Sequence, residues 1–166
     1  MKRIITITLM LLMVTVASAQ DGKNIYNKYS GNEGVTAIYI SPAMFRMIGN
    51  LPDLDVQTSN GESVNLAPLI KTLQGIYILE VSDSDIKTSI KKDVANMIHG
   101  KRYEMLMEVK DELETIRMYT AGNEKIIESF VFVVTDTDSL NFICIDGAMI
   151  REELDTLIAG ALKKNL

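Results

Sequence analysis

The sequence predicts an α+β domain of two layers, and three observations predict it. From Tyr103 onward apolar and polar residues alternate, the mark of half-buried strands, in runs separated by turn-forming residues. Residues 86–98 keep the helical period instead, with Ile86, Ile90, Val94, Met97 and Ile98 forming one stripe. Upstream, the β-branched and apolar runs at 35–40 and 76–82 each lead into residues that start helices. The order of elements gives strand–helix units first and an antiparallel four-strand meander last, in a mixed sheet with helices packed on one face.

The chain opens MKRIITITLMLLMVTVASAQ: a basic start at Lys2 and Arg3, an apolar run from Ile4 to Val16, and small residues at Ala17-Ser18-Ala19. That is the layout of a secretory signal peptide, 1–19, removed after Ala19. The apolar run falls short of the ~20 residues that span a bilayer. Removing 19 of the 166 residues leaves 147, which suits one domain over 20–166 with a core of its own.

"VTAIYI", 35–40, reads as a strand running into Ser41-Pro42, where serine caps a helix and proline fits its first turn, so a helix through Ile48 should follow. Residues 49–63, rich in Gly, Pro and Asn, read as a surface loop. Asn65 is placed to cap a short helix, with Leu66, Leu69, Ile70 and Leu73 inward and Gly75 ending it. "IYILEVS", 76–82, is the next strand. It delivers the chain to Ser82, Asp83 and Asp85, an acidic start for the helix carrying the Ile86 stripe, and Gly100 stops that helix after His99.

The meander follows. Tyr103, Met105, Met107 and Val109 should share one face, opposite Glu104, Glu108 and Lys110, which makes a sheet with one wet face. Strands continue at 115–120, 126–135 and 140–145. The 126–135 strand is apolar on both sides through Phe130 to Val134, so it belongs in the middle of the sheet. A last helix should begin near Met149 with Ile150, Leu154, Leu157, Ile158 and Ala161 inward.

Charge and composition exclude several functions. Without Lys2 and Arg3, 15 basic side chains face 22 acidic ones, a formal charge of −7, whereas nucleic acids and anionic lipids are bound by basic patches. One cysteine, Cys144, cannot close an internal disulfide, so the apolar core must hold the domain. With His99 read as a structural helix end, no histidine is left for a Ser-His-Asp triad, and one histidine with one cysteine falls short of the usual zinc ligand sets. No phosphate-binding or dinucleotide-binding glycine motif is present, and no cofactor or catalytic residue is expected.

Two places invite a chemical reading. Cys144 stands beside Asp146-Gly147, but the alternation puts the thiol on a face with Leu140 and Phe142, where burial suppresses the thiolate. His99 at a helix end is there for the dipole, and Asp146-Gly147 reads as a strand exit with a capping carboxylate. Asp136, Asp138 and Asp146 are the residues that could converge on calcium or magnesium, although their spacing is not that of an EF-hand and aspartates are ordinary in tight turns. Met105, Met107 and Met118 fall on neighbouring strands as pliable core filler or as an adaptable binding surface, and an exposed strand edge in the meander could accept a partner's strand.

The runs "YNKYSGNEGVTAIYISPAMF", "YEMLMEVKDELETIRMYT" and "FVFVVTDTDSLNFICIDG", with the helix reaching Leu157, resemble the exported Gram-negative family known as domain of unknown function 4252. The resemblance implies secretion and a shared small α+β domain, and it brings no activity, cofactor or site residue. Two functions remain in view. One is a periplasmic or envelope-associated, non-enzymatic domain that binds another envelope protein, with no transmembrane span once the signal is removed. The other is a small carboxylate-based hydrolase or ligand-binding protein with a site near residues 136–146 and the 49–63 loop.

Overall fold

A computed structural model describes residues 21–49, 55–57, 63–99 and 103–155. Residues 1–19, expected from the sequence to be a signal peptide, therefore lie outside the described residues. The described chain opens with α1 (Asp21–Tyr29), a helix that period counting missed because its apolar content is only Ile25, Tyr26 and Tyr29. β1 (Val35–Ile40) ends at Ser41, whose extended backbone and hydroxyl accepting from the Met44 N–H start α2 (Pro42–Ile48) as predicted.

The stretch predicted as a loop contains β2 (Asp55–Gln57), which pairs with β3 (Ser63–Asn65) in a small antiparallel hairpin. Each strand centres on a β-branched valine, a preference obscured by the turn residues around it. Asn65 thus belongs to β3, and α3 (Ala67–Thr72) starts at Leu66 with Pro68 in its first turn and no side-chain cap. β4 (Leu73–Val81) follows at once, with Gly75 inside the strand rather than ending the helix, because the Tyr77 ring lies where a side chain at 75 would stand. Asp83 caps α4 (Ser84–His99), accepting from the N–H groups of Asp85 (3.0 Å) and Ile86 (2.8 Å). Its predicted stripe is the packed one: Ile90 and Val94 are buried, with Ile86, Met97 and Ile98 against the same core.

β5 (Tyr103–Lys110), β6 (Thr115–Gly122), β7 (Ile126–Thr135) and β8 (Leu140–Ile150) form the predicted meander. The six-stranded sheet runs β1-β4-β8-β7-β6-β5, so β7 and β8 share its centre. Every pair in it is antiparallel, and the α+β class holds without the mixed sheet. The reason is the path from β1 to β4: α2, the β2–β3 hairpin and α3 turn the chain back beside β1, where a parallel partner would need a crossover over the sheet. β8 also outruns its predicted end. Its pairing continues through Met149 with Ile127 and Ile150 with Ile126, so helical backbone begins only at residue 151, and Leu157, Ile158 and Ala161 lie outside the described residues.

Burial alternates along the central strands. On one side Leu79, Val81, Val131, Leu140, Phe142 and Cys144 are sealed beneath Ile25 and Tyr29 of α1 and Ile90 and Val94 of α4. The two helices are clamped at Asp93, which accepts from Tyr29 Oη (2.7 Å) and from Lys28 Nζ (2.6 Å). Burial opposes the charge on Asp93, but these two donors outweigh it and hold the carboxyl below its usual range. Tyr29→Phe is therefore expected to cost roughly 1 kcal/mol in urea unfolding, and the loss should shrink as pH falls through the lowered Asp93 value, where the acceptor charge disappears.

The other side of the sheet is not the wet face that the alternation predicts. Its middle row runs Ile38, Ile78, Ile143, Phe132, Met118 and Met107 across all six strands. Ile40, Ile76, Ile145 and Phe130 flank it on one side, and Val134, Ile116 and Val109 on the other. All these side chains are half-buried or exposed, none buried. A bulge at Leu106 shifts the β5 register between Met105 and Met107, so Tyr103 and Met105 point to the helix side while Met107 and Val109 join the open face. One inserted residue splits the four side chains that plain alternation put together.

Candidate functional site

Cys144 sits where the alternation of β8 sends it, inward and fully buried between Phe142 and Asp146. Gly22 of α1 lies directly over it, and a methyl group at 22 would collide with Cys144 Sγ and Cβ, so the helix can close on the thiol only as glycine. Ser129 of β7 approaches from the side, with Oγ 3.5 Å from Cys144 Sγ, and the thiol donates to Asp146 Oδ1 at 3.3 Å. The Tyr103 hydroxyl is buried at the same place without a hydrogen bond of ordinary geometry. Tyr103, Ser129, Cys144 and Asp146 thus make a polar pocket inside the apolar layer, a constellation that sequence spacing did not show because it draws on three different strands of the meander, β5, β7 and β8.

Its electrostatics favour neutral groups. Burial, and then the Asp146 carboxylate, push the Cys144 thiol well above its ordinary range. Burial also raises the Asp146 carboxyl, against hydrogen bonds from Ser129 and Cys144 that stabilise its charge. Desolvation likewise raises Tyr103. A nucleophile needs a thiolate and a base, and here the thiol is held protonated next to a carboxyl that is itself pushed toward protonation. The one histidine, His99, is exposed at the end of α4 while Cys144 is sealed, so the two do not face each other across a crevice.

The three aspartates go to different tasks. Asp136 accepts from the N–H groups of Asp138 (2.7 Å) and Ser139 and from Ser139 Oγ (2.7 Å), and those bonds hold its carboxyl below the usual range. The turn is tied to α4 by Lys87, whose Nζ donates to the carbonyls of Thr137 (3.1 Å) and Asp138 (3.0 Å). Asp146 is not the strand exit its sequence suggested. It lies within β8, six residues beyond Leu140 and so roughly 20 Å along the strand from that turn. Among the described residues no group of three His, Cys, Asp or Glu side chains could hold a metal ion.

Two surfaces remain. Tyr39 stacks on Tyr77 with ring centroids 5.1 Å apart, and Tyr26 of α1 leans on both. Tyr39 and Tyr77 are register partners on β1 and β4, a contact readable from "AIYI" and "GIYI" only once those strands are known to pair antiparallel. Burial, followed by Tyr39, pushes the Tyr77 hydroxyl up to about 12. At the opposite edge β5 leaves Met105, Leu106, Met107 and Val109 between 40% and 50% exposed, and Leu113 in the following turn stands 73% exposed. The Glu108 carboxylate on this strand pairs with Arg117 (2.7 Å) and Lys110 (2.9 Å) at the surface. No helix among the described residues is long and apolar enough to cross a membrane.

No curated protein and no solved structure matches the chain. A family model described as Domain of unknown function (DUF4252) matches residues 29–157, which include the eight strands and α2 to α4 of the described residues. The chain belongs to the DUF4252 family.

Proposed function

We propose that the mature chain is an exported, non-enzymatic domain of the cell envelope that binds another protein along the free edge of β5. The observation that carries this reading is the apolar edge itself. Four of the five positions from 105 to 109, all but Glu108, offer Met105, Leu106, Met107 and Val109 to solvent beside a row of main-chain groups on the outer side of an edge strand. Edge strands that serve no partner are usually blunted by charge or a bulge, and β5, which carries Glu104, Glu108, Lys110 and the Leu106 bulge, still leaves these four apolar side chains exposed. Methionine adapts to varied apolar surfaces, and strand addition supplies main-chain hydrogen bonds that need no particular partner sequence. Export rests on the leader at 1–19, and the formal charge of −7 for the mature chain suits a neutral or basic partner. A carboxylate hydrolase draws less support, since Asp146 lies within β8, roughly 20 Å along the strand from the Asp136 turn.

A photo-crosslinking phenylalanine in place of Glu104, expressed in cells with the full chain, tests the edge. One discrete adduct in the envelope fraction that disappears with Leu106→Lys is expected. Absence of any adduct at 104, with the protein present and folded, contradicts the reading. Intact mass of the exported protein should show residues 1–19 gone.

A further inference from the structure

The flat of the sheet opposite α1 and α4 calls for a cover. Six strands spaced ~4.8 Å apart and three side-chain rows ~7 Å apart give it a footprint of roughly 500 Å2 before side-chain relief is counted. That is near the upper size of apolar patches on monomers, and with relief it approaches the ~800 Å2 that each partner contributes to a specific interface. Polar side chains enter only its flanking rows: Thr36, Glu80 and Asn141 stand in the row of Val134, and Thr120 and Glu104 in the row of Phe130. The central row from Ile38 to Met107 carries none.

On the other side two helices, α1 and α4, are needed to seal the same sheet. What matches the face in width, shape and lack of charge along its middle row is the same face on another molecule, since a two-fold axis sets each apolar row against its copy and keeps the flanking carboxylates at the rim.

We infer that this face is a homodimer interface, in which a second copy of the chain docks sheet to sheet and closes a four-layer body with the helices outside. The inference rests on the flat of the sheet and goes beyond the binding proposed for the β5 edge, and the test below uses purified protein alone, so either can fail without the other.

The chain has no tryptophan, so Phe132→Trp places a single reporter at the middle of the face. In the mature protein its emission should shift to the blue, and acrylamide should quench it several-fold less, as concentration rises, in step with light scattering that moves from one chain mass to two. Phe132→Glu should weaken association at least ~100-fold, because two carboxylates would be buried at the contact, while far-ultraviolet circular dichroism remains that of the folded domain. Ile143→Thr, a milder change in the same row, should weaken it less. A reporter exposed at every concentration, with a monomeric mass, overturns the inference. A reporter shielded at every concentration in a monomer also overturns it, and assigns the cover to the chain itself.

Discussion

Gly22→Ala is expected to destabilise the domain by about 2 kcal/mol, although alanine is the better helix former. The substitution gains less than ~1 kcal/mol in helix propensity near the start of α1. Against this stands overpacking, because the new methyl group meets Cys144 Sγ and Cβ on a fully buried central strand, and such clashes cost about 1–3 kcal/mol. β8 cannot yield, since β4 and β7 hold it on both sides. The helix must lift, and it takes Ile25 and Tyr29 from the core with it. Cys144→Ala removes the colliding sulfur, so the double variant should recover at least ~1 kcal/mol relative to the sum of the singles in urea unfolding. Strict additivity would mean that α1 does not rest on the thiol.

Asp146→Asn is expected to stabilise the protein at pH 7, an unusual outcome for a change at a buried polar site. The carboxylate lies within β8, 5% exposed, with Ser129 and Cys144 as polar neighbours and Asp21 and Lys23 of α1 exerting opposed fields. Because burial raises its folded-state pKa above the unfolded value near 3.8, the protonated form is the one that the fold prefers. Its stabilising contribution is complete below the unfolded value and is lost as pH rises through the raised one. Asparagine keeps an oxygen to accept from Cys144 and never ionises. Wild-type and variant should therefore have similar melting temperatures near pH 3 and separate as pH rises to 7, and a gap that is constant or closes with pH would show the carboxylate to be well solvated.

Sequence periodicity reached what is local. The α4 stripe, the strand at 35–40, the Ser41-Pro42 helix start and the four-strand meander are each written in short-range patterns, and the inward Cys144 follows from simple alternation along β8. What escaped depends on pairing between distant segments. The antiparallel return of β4 beside β1 is a property of the whole path, and the Leu106 bulge reversed the phase of half a strand without a turn signal. Asp146-Gly147 looked like an exit because those residues end strands elsewhere, but Gly147 gives close approach to Leu73 while the ladder goes on to Ile150. The polar pocket around Tyr103 and Ser129 and the Tyr26–Tyr39–Tyr77 cluster draw on three segments each, and no spacing in one segment reports them. The apolar open face was hidden by Glu104, Glu108 and Lys110, which suggested water on one side of a sheet whose other strands carry isoleucine and phenylalanine there.

The central claim is that the thiol of this chain, with Asp146 beside it, is enclosed in the fold. The single thiol makes this directly measurable by reaction with an aromatic disulfide reagent. Native mature protein should label only as fast as it globally unfolds, with the rate rising as urea lowers stability and with Gly22→Ala labelling sooner than wild-type. Stoichiometric labelling of the native protein within seconds, without denaturant, would place Cys144 in an open, reactive site and contradict the account.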